Sequence, residues 1–224
     1  MTASYYSARL AGERLRLAYE LASPRVRRYL EAEIQHVASR VPPGGWVLEL
    51  GCGYGRVLLP LAERAGIAVG VDTSLASLEL ASRYLASARN VVVVAMDATR
   101  LGFPPRMFDA VCCVQNGISA FHVDQRTLLA SAAGAARPGG AVMFSTYAAL
   151  FWPHRLEWFR SQAAHGLIGE IDEAATGDGE IVCRDGFAAT TVTPEELAEL
   201  AAGLGSKCVI RTVDDSSVFC EITV

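Results

Sequence analysis

The sequence predicts an α/β protein with a Rossmann-like, seven-stranded, mostly parallel sheet, an antiparallel last strand and helices on both faces. Three observations predict it. First, short apolar runs (WVLEL, IAVGV, VVVVAM, DAVCCV and AVMFST) alternate with helix-patterned segments between residues 46 and 146. Strands that are apolar throughout belong to parallel sheets covered on both sides. Second, the final runs KCVIRTV and SVFCEITV are separated only by a short DDS connection. That is too short for a crossover, so the two must pair antiparallel. Third, VLELGCGYGR at 47–56 ends a strand on three alternating glycines, Gly51, Gly53 and Gly55. Glycine costs backbone entropy, so three in one turn need a use, such as close approach of the backbone to a ligand.

Taken in order, Leu10, Leu17 and Leu21 with Ala11 and Ala18 suggest the apolar face of a first helix. Ser23-Pro24 reads as a cap followed by proline at the first helical position. Val26, Leu30, Ile34 and Val37 follow at helical spacing, and PPGG at 42–45 stops the helix. Strand one is 46–50, and the helix after the glycines is expected to start near 54–56 and run to about Ala65. Strand two is 67–71, ending at Asp72, and Ser74 caps the next helix. Strand three is 91–96, ending at Asp97, and strand four is 109–114. A helix over 124–136 is closed by RPGG, and strand five is 141–146. Residues 150–168 are helix-like and aromatic, and the stretch from Asp172 to Val192 reads as a turn-rich hairpin. Thr193 with Glu196 forms a capping-box start, and Gly203 or Gly205 ends that helix.

Length and composition fit one domain spanning residues 1–224: 51% of residues are hydrophobic and the formal net charge is −4. The acidity argues against nucleic acid or anionic membranes as partners. No apolar run approaches the ~20 residues needed to span a bilayer. There is no secretory leader pattern at the start. The six cysteines show no CxxC and no ligand spacing, so no metal site is expected. A cytoplasmic protein with reduced thiols is the expectation.

In an open parallel sheet, ligands bind at the C-terminal ends of the strands near the switch point. Three strand ends carry suitable groups. Strand one has the glycine turn, whose N–H groups favour a polar or anionic ligand. Strand two ends in Asp72, about twenty residues on, placed to bind a ribose diol. Strand three ends in Asp97-Ala98, which offers an acceptor and an N–H to an adenine edge. Singly, each has a plain structural explanation: Asp72 capping a helix, Asp97 starting a turn, Cys52 filling space. Together they suggest an adenosine-containing ligand. A dinucleotide turn reads GxGxxG. Here the third glycine comes one position early and Arg56 takes its place, which disfavours a nicotinamide- or flavin-dependent oxidoreductase. A non-catalytic cofactor-binding module stays open as an alternative.

VLELGCGYGR, VGVDTS, MDATRLGF, FDAVCCVQN and RPGGAVMFST, in that order, resemble the class I S-adenosylmethionine-dependent methyltransferases over roughly residues 40–224. The resemblance implies S-adenosylmethionine as cofactor and a small-molecule methyl acceptor. It implies cofactor contacts for Gly51, Gly53, Asp72, Asp97 and Ala98, and a loop-orienting role for Glu49, with Cys52 and Thr73 beside them. N-terminal tyrosines, Tyr5 or Tyr6, are expected to close over the cofactor or to pack the first helix. Gln115 and Asn116, after strand four, are candidates for holding the cofactor or a substrate oxygen. His122 is the candidate base, with a surface histidine as the competing reading, and Tyr147 is a further candidate at the rim. QNGI after strand four lacks the motif of amide- and nucleobase-amine-methylating relatives. Catechol-type relatives place acidic magnesium ligands where this sequence has Gln115-Asn116 and Thr146-Tyr147, so a metal is not expected. The N-terminal helices (1–45) are expected over the cofactor site, and 148–192 as an inserted substrate cap. Phe151, Trp152, Trp158 and Phe159 there suit an acceptor pocket, a packed lid or a homodimer face.

Overall fold

The computed structural model describes Tyr5 and residues 9–224. Its sheet has seven strands: β1 (Trp46–Leu50), β2 (Ile67–Asp72), β3 (Val91–Ala95), β4 (Phe108–Cys113), β5 (Ala136–Tyr147), β8 (Cys208–Val213) and β9 (Ser217–Thr223). They lie in the order β3-β2-β1-β4-β5-β9-β8. β1 through β5 pair parallel, and β9 runs antiparallel to both of its neighbours. The chain therefore winds outward from β1 to β3, then restarts at β4 on the other side of β1. The ends of β1 and β4 form the switch point.

One face of the sheet packs α6 (Gln125–Ala135) and α8 (Pro194–Gly203) on Leu48, Leu50, Val71, Val111 and Phe144. The other face packs α2 (Pro24–Arg40), α3 (Leu58–Ala62) and α4 (Leu75–Tyr84) on Val47, Ala68, Ala110 and Met143. Sequence patterning selects these helices through their caps. Ser23, Ser74 and Thr193 each accept a backbone N–H from the first turn of α2, α4 and α8, and Thr193 and Glu196 close a reciprocal capping box.

A third apolar cluster lies above the strand ends. It joins α1 (Glu13–Glu20) and α2 to α7 (Trp152–Ala164) and to the small hairpin β6 (Ile181–Val182)/β7 (Ala188–Ala189). The N-terminal helices and the 148–192 segment thus form one cap. Trp158 Nε1 donates to Ala18 O at 2.8 Å, and an Arg14 Nη donates to Gly166 O at 2.7 Å. Tyr5 Oη donates to Asp185 at 2.7 Å.

Several boundaries differ from the sequence reading. The helix after the glycines is only Leu58–Ala62. All three glycines take positive φ (76°, 53° and 89°), so residues 51–55 form a turn and cannot begin a helix. β5 starts at Ala136 and takes RPGG into the strand. A register shift occurs between the Phe108–Ala136 and Ala110–Ala141 pairings, and Gly139 has φ 78°. β3 ends at Ala95 and β4 spans 108–113. On α1 the buried residue is Ala18, whereas Leu17 faces solvent. Cys183 is buried in the 172–192 hairpin and bridges to Ile171.

Candidate functional site

The glycine turn folds back on β2. Gly51 N and Cys52 N donate to Val71 O at 2.8 and 3.0 Å, and Gly53 N donates to Asp72 Oδ2 at 2.8 Å. Asp72 Oδ1 accepts Ser74 N at 2.8 Å, so its carboxylate ties the turn to the start of α4. Burial raises its pKa, and the backbone donors oppose that rise. Cys52 is buried against Gly70, where an added Cβ would lie 2.6 Å from Cys52 Cβ. That is the space-filling role. Thr73 is exposed beside Asp72. At the end of β3, Asp97 Oδ1 accepts Thr99 N and Thr99 Oγ1 at 2.8 and 2.7 Å, and Ala98 is buried. Glu49, Gly51, Gly53, Asp72, Asp97 and Ala98 thus all fall on the C-terminal ends of β1, β2 and β3.

Glu49 is buried, and its Oε2 has no hydrogen-bond partner. Burial pushes its carboxyl up to about 8, while Arg56 pulls it down and Asp72 pushes it up. Arg56 Nε and Nη2 are likewise buried without partners, and its guanidinium lies 4.7 Å from the Tyr19 ring centroid. An acid and a base left unsatisfied side by side at a glycine turn are costly in a dry site. They match a ligand that brings an ammonium and a carboxylate.

The end of β4 is the seam between the two halves of the cap. Gln115 and Asn116 are both left-handed (φ 55° and 61°). Gln115 N reaches Glu33 Oε2 at 3.0 Å and Ser145 Oγ at 2.9 Å, and Tyr19 Oη donates to Gln115 Oε1 at 2.5 Å. Asn116 Nδ2 donates to Thr190 O at 2.7 Å, and its Oδ1 accepts Thr146 Oγ1 at 2.9 Å. Gln115 therefore holds the N-terminal helices, and Asn116 holds the 148–192 segment. His122 is exposed at φ 52°, just past Phe121. Tyr147 packs near Phe151 and under the Arg155 guanidinium, which lies 4.5 Å from its ring centroid. Burial drives its phenol up strongly and Arg155 opposes this.

The site is closed by side chains. A Cβ on Gly51 would lie 2.3 Å from Phe121 Cζ, and one on Gly53 would lie 2.9 Å from Leu15 Cδ2. Surface hollows of about 320 and 300 Å³ lie elsewhere. One is at the opposite ends of the strands by Asp109 and Arg137, the other between Arg14 and Leu167.

Residues 47–140 match the family model of the methyltransferase domain. That stretch, under half of the chain, is similar to the class I S-adenosylmethionine-dependent methyltransferases, and the whole chain shares their fold. An aklanonic acid methyltransferase from a Streptomyces species is 35% identical over 101 residues, covering 43% of this chain and 43% of that protein. A ubiquinone biosynthesis O-methyltransferase from Idiomarina loihiensis is 35% identical over 107 residues, covering 46% and 42%. The matched region thus spans under half the length of these relatives. A Pyrococcus horikoshii protein structure superposes with TM-score 0.67 at 19% identity, covering 98% of this chain and 97% of that one. This last likeness is one of fold.

Phe151, Trp158 and Phe159 are core residues of the cap, so they supply neither an open pocket nor a free dimer face. Tyr5 points to the hairpin at Asp185 and Phe187. Tyr6 lies outside the described residues. Two groups go beyond the sequence reading. Arg56 stands in it only as a substitute for a glycine. Glu33 has no place in it, although it falls on the buried stripe 26/30/33/37 of α2. An acid on an apolar stripe was the available signal. Ile34 fits a similar spacing and masked it.

Proposed function

We propose that the protein transfers the methyl group of S-adenosylmethionine to an oxygen nucleophile on a small molecule by in-line displacement. The observation that carries this reading is the set of unsatisfied buried charges at the glycine turn, Glu49 Oε2 and Arg56 Nε and Nη2, at the switch point of a methyltransferase sheet. When bound, the cofactor supplies a methyl already activated on sulfur, so the protein's work is positioning and exclusion of water. Gly51 and Gly53 allow close backbone approach. Glu49 and Arg56 complement the ammonium and carboxylate of the methionine part. Asp72 exchanges its turn contacts for ribose hydroxyls, and Asp97 with Ala98 meets the adenine. Thr73 and Cys52 shape the same wall. Phe121, just past β4, and Leu15 of α1 must move aside for a ligand to reach the glycines, so α1 and the segment after β4 shift in each turnover.

The names of the relatives, all methyltransferases and several of them O-methyltransferases, favour oxygen as the acceptor atom. An acceptor that loses a proton has His122 as its candidate base. Tyr147 is the weaker one, because its phenol is held far above neutral pH. Asn116 acts by holding the cap seam, given that both ends of its amide are engaged. Among the described residues no helix is long and apolar enough to cross a membrane. All six cysteines are free thiols, which suits a reducing cytoplasm. The test is S-adenosylhomocysteine release during incubation with S-adenosylmethionine and a panel of phenols, hydroxyquinones and hydroxy acids. Release that depends on one acceptor class supports the reading. Tight cofactor binding with no release across the panel would point to a binding module.

A further inference from the structure

We propose that Glu33 of α2 is the counter-charge for the sulfonium of S-adenosylmethionine, and that it makes the site prefer this charged donor over the neutral product S-adenosylhomocysteine. The inference rests on the methyltransferase reading and adds a residue that lies outside the glycine turn and the strand-end acids.

The geometry places Glu33 at the switch point. Its side chain is fully buried, and Oε2 accepts the N–H of Gln115, the second residue past β4 and beside the β1 turn. Its Oε1 makes no hydrogen bond of good geometry, and neither does the hydroxyl of Tyr29 one turn earlier on the same helix, although that phenol lies near enough to favour the ionised carboxylate. A buried carboxylate with half its acceptor capacity unused is a poor structural device, because an apolar side chain of the same shape would be more stable there. The groups facing it are Arg56 from the glycine turn, Tyr29 from its own helix, Tyr147 from β5, the buried thiols of Cys112 and Cys113 on β4, whose pKa values burial raises, and the uncharged Ser145 and Gln115. Arg56 is shared with Glu49, so two acids face one cation. The donor carries a carboxylate, an ammonium and a sulfonium. Arg56 complements the first and Glu49 the second, which leaves the sulfonium for Glu33. The product has lost the methyl and with it the sulfonium charge, and it is otherwise the same molecule. The ratio of the two affinities therefore isolates this one interaction.

Burial pushes the Glu33 carboxyl up to about 7. Donor affinity then rises with pH as Glu33 ionises, while the effect of Glu49 on the ammonium is common to both ligands and cancels in the ratio.

The experiment is calorimetric titration of the full chain with S-adenosylmethionine and with S-adenosylhomocysteine. Wild type comes first, and failure to bind either ligand sinks the methyltransferase reading and this inference with it. Glu33→Gln keeps the shape and an acceptor for Gln115 N–H. It is expected to weaken donor binding by about tenfold to a hundredfold, the range for a hydrogen-bonded charge, and product binding by less than about twofold. Glu33→Asp, which keeps the charge, should retain most of the preference. Unchanged donor binding, or equal losses for both ligands, overturns the assignment. Should Glu33→Gln fail to fold, wild type decides alone. The donor-to-product affinity ratio must rise between about pH 6 and pH 8.5, and a flat ratio overturns the proposal.

Discussion

Replacing Glu49 by Gln should make the ligand-free protein more stable, and the gain should grow with pH. The carboxyl is buried and held at about 8 instead of its ordinary 4.5. Below pH 4.5 it is protonated in both the folded and the unfolded chain and contributes nothing. Between 4.5 and 8 the unfolded chain gives up the proton and the folded chain does not, so stability falls as pH rises. Above 8 the full penalty is present, about 5 kcal/mol as an upper figure from the linkage relation. Arg56 loses one of its two facing acids in the variant, which offsets part of the gain. A net 2–3 kcal/mol at pH 8.5 is a reasonable order of magnitude, roughly 4–12 °C in Tm for a chain of this size. At about pH 5 the two proteins should melt within roughly 1 °C of each other, since little of the penalty is present there. Thermal melts of both proteins at the two pH values, without ligand, make the measurement. A variant less stable than wild type at both values, or a gap that does not depend on pH, would refute the idea that Glu49 is a strained, ligand-directed acid. The same variant should bind the cofactor more weakly, the ordinary trade of stability for function.

Three further outcomes follow from the geometry. Gly51→Ala should lose about 1–2 kcal/mol of stability from its φ of 76° and, because the new methyl meets Phe121, should lose cofactor binding by a larger factor, read by melts and titration together. Asn116→Ala removes two hydrogen bonds, one of them buried, and leaves Thr190 O with only the longer contact from Arg155 at 3.3 Å. Chemical denaturation should show a loss of about 2–4 kcal/mol, with the 148–192 segment becoming the first site of limited proteolysis. Thr193→Ala breaks the capping box of α8, whose two hydrogen bonds are confined to Thr193 and Glu196. It should cost about 1 kcal/mol and leave cofactor binding unchanged, which makes it the control for the other two.

The parallel core was legible because its strands are buried on both faces and therefore read as unbroken apolar runs. The reversed end was legible because three residues cannot carry a crossover. Ser23, Ser74 and Thr193 announced helix starts by local chemistry alone. The start of β5 was not legible: RPGG is ordinary turn chemistry, and only pairing of Ala136 with Phe108 draws it into the strand. The helix after the glycines was legible, but its late start was not, because alternating positive-φ glycines delay a helix in a way that composition does not reveal. At the site, acids at strand ends were readable from spacing. The roles of Gln115 and Asn116 as ties to the two halves of the cap depend on partners as far away as Glu33 and Thr190, and no local pattern encodes them.

The central claim is that these strand ends bind S-adenosylmethionine. The most direct measurement is titration of wild type and Asp72→Ala with that cofactor. The account predicts micromolar binding by wild type, with a loss of about 1–3 kcal/mol in the variant, the range for an unpaired buried polar contact. No binding by wild type, or equal binding by both proteins, would contradict it.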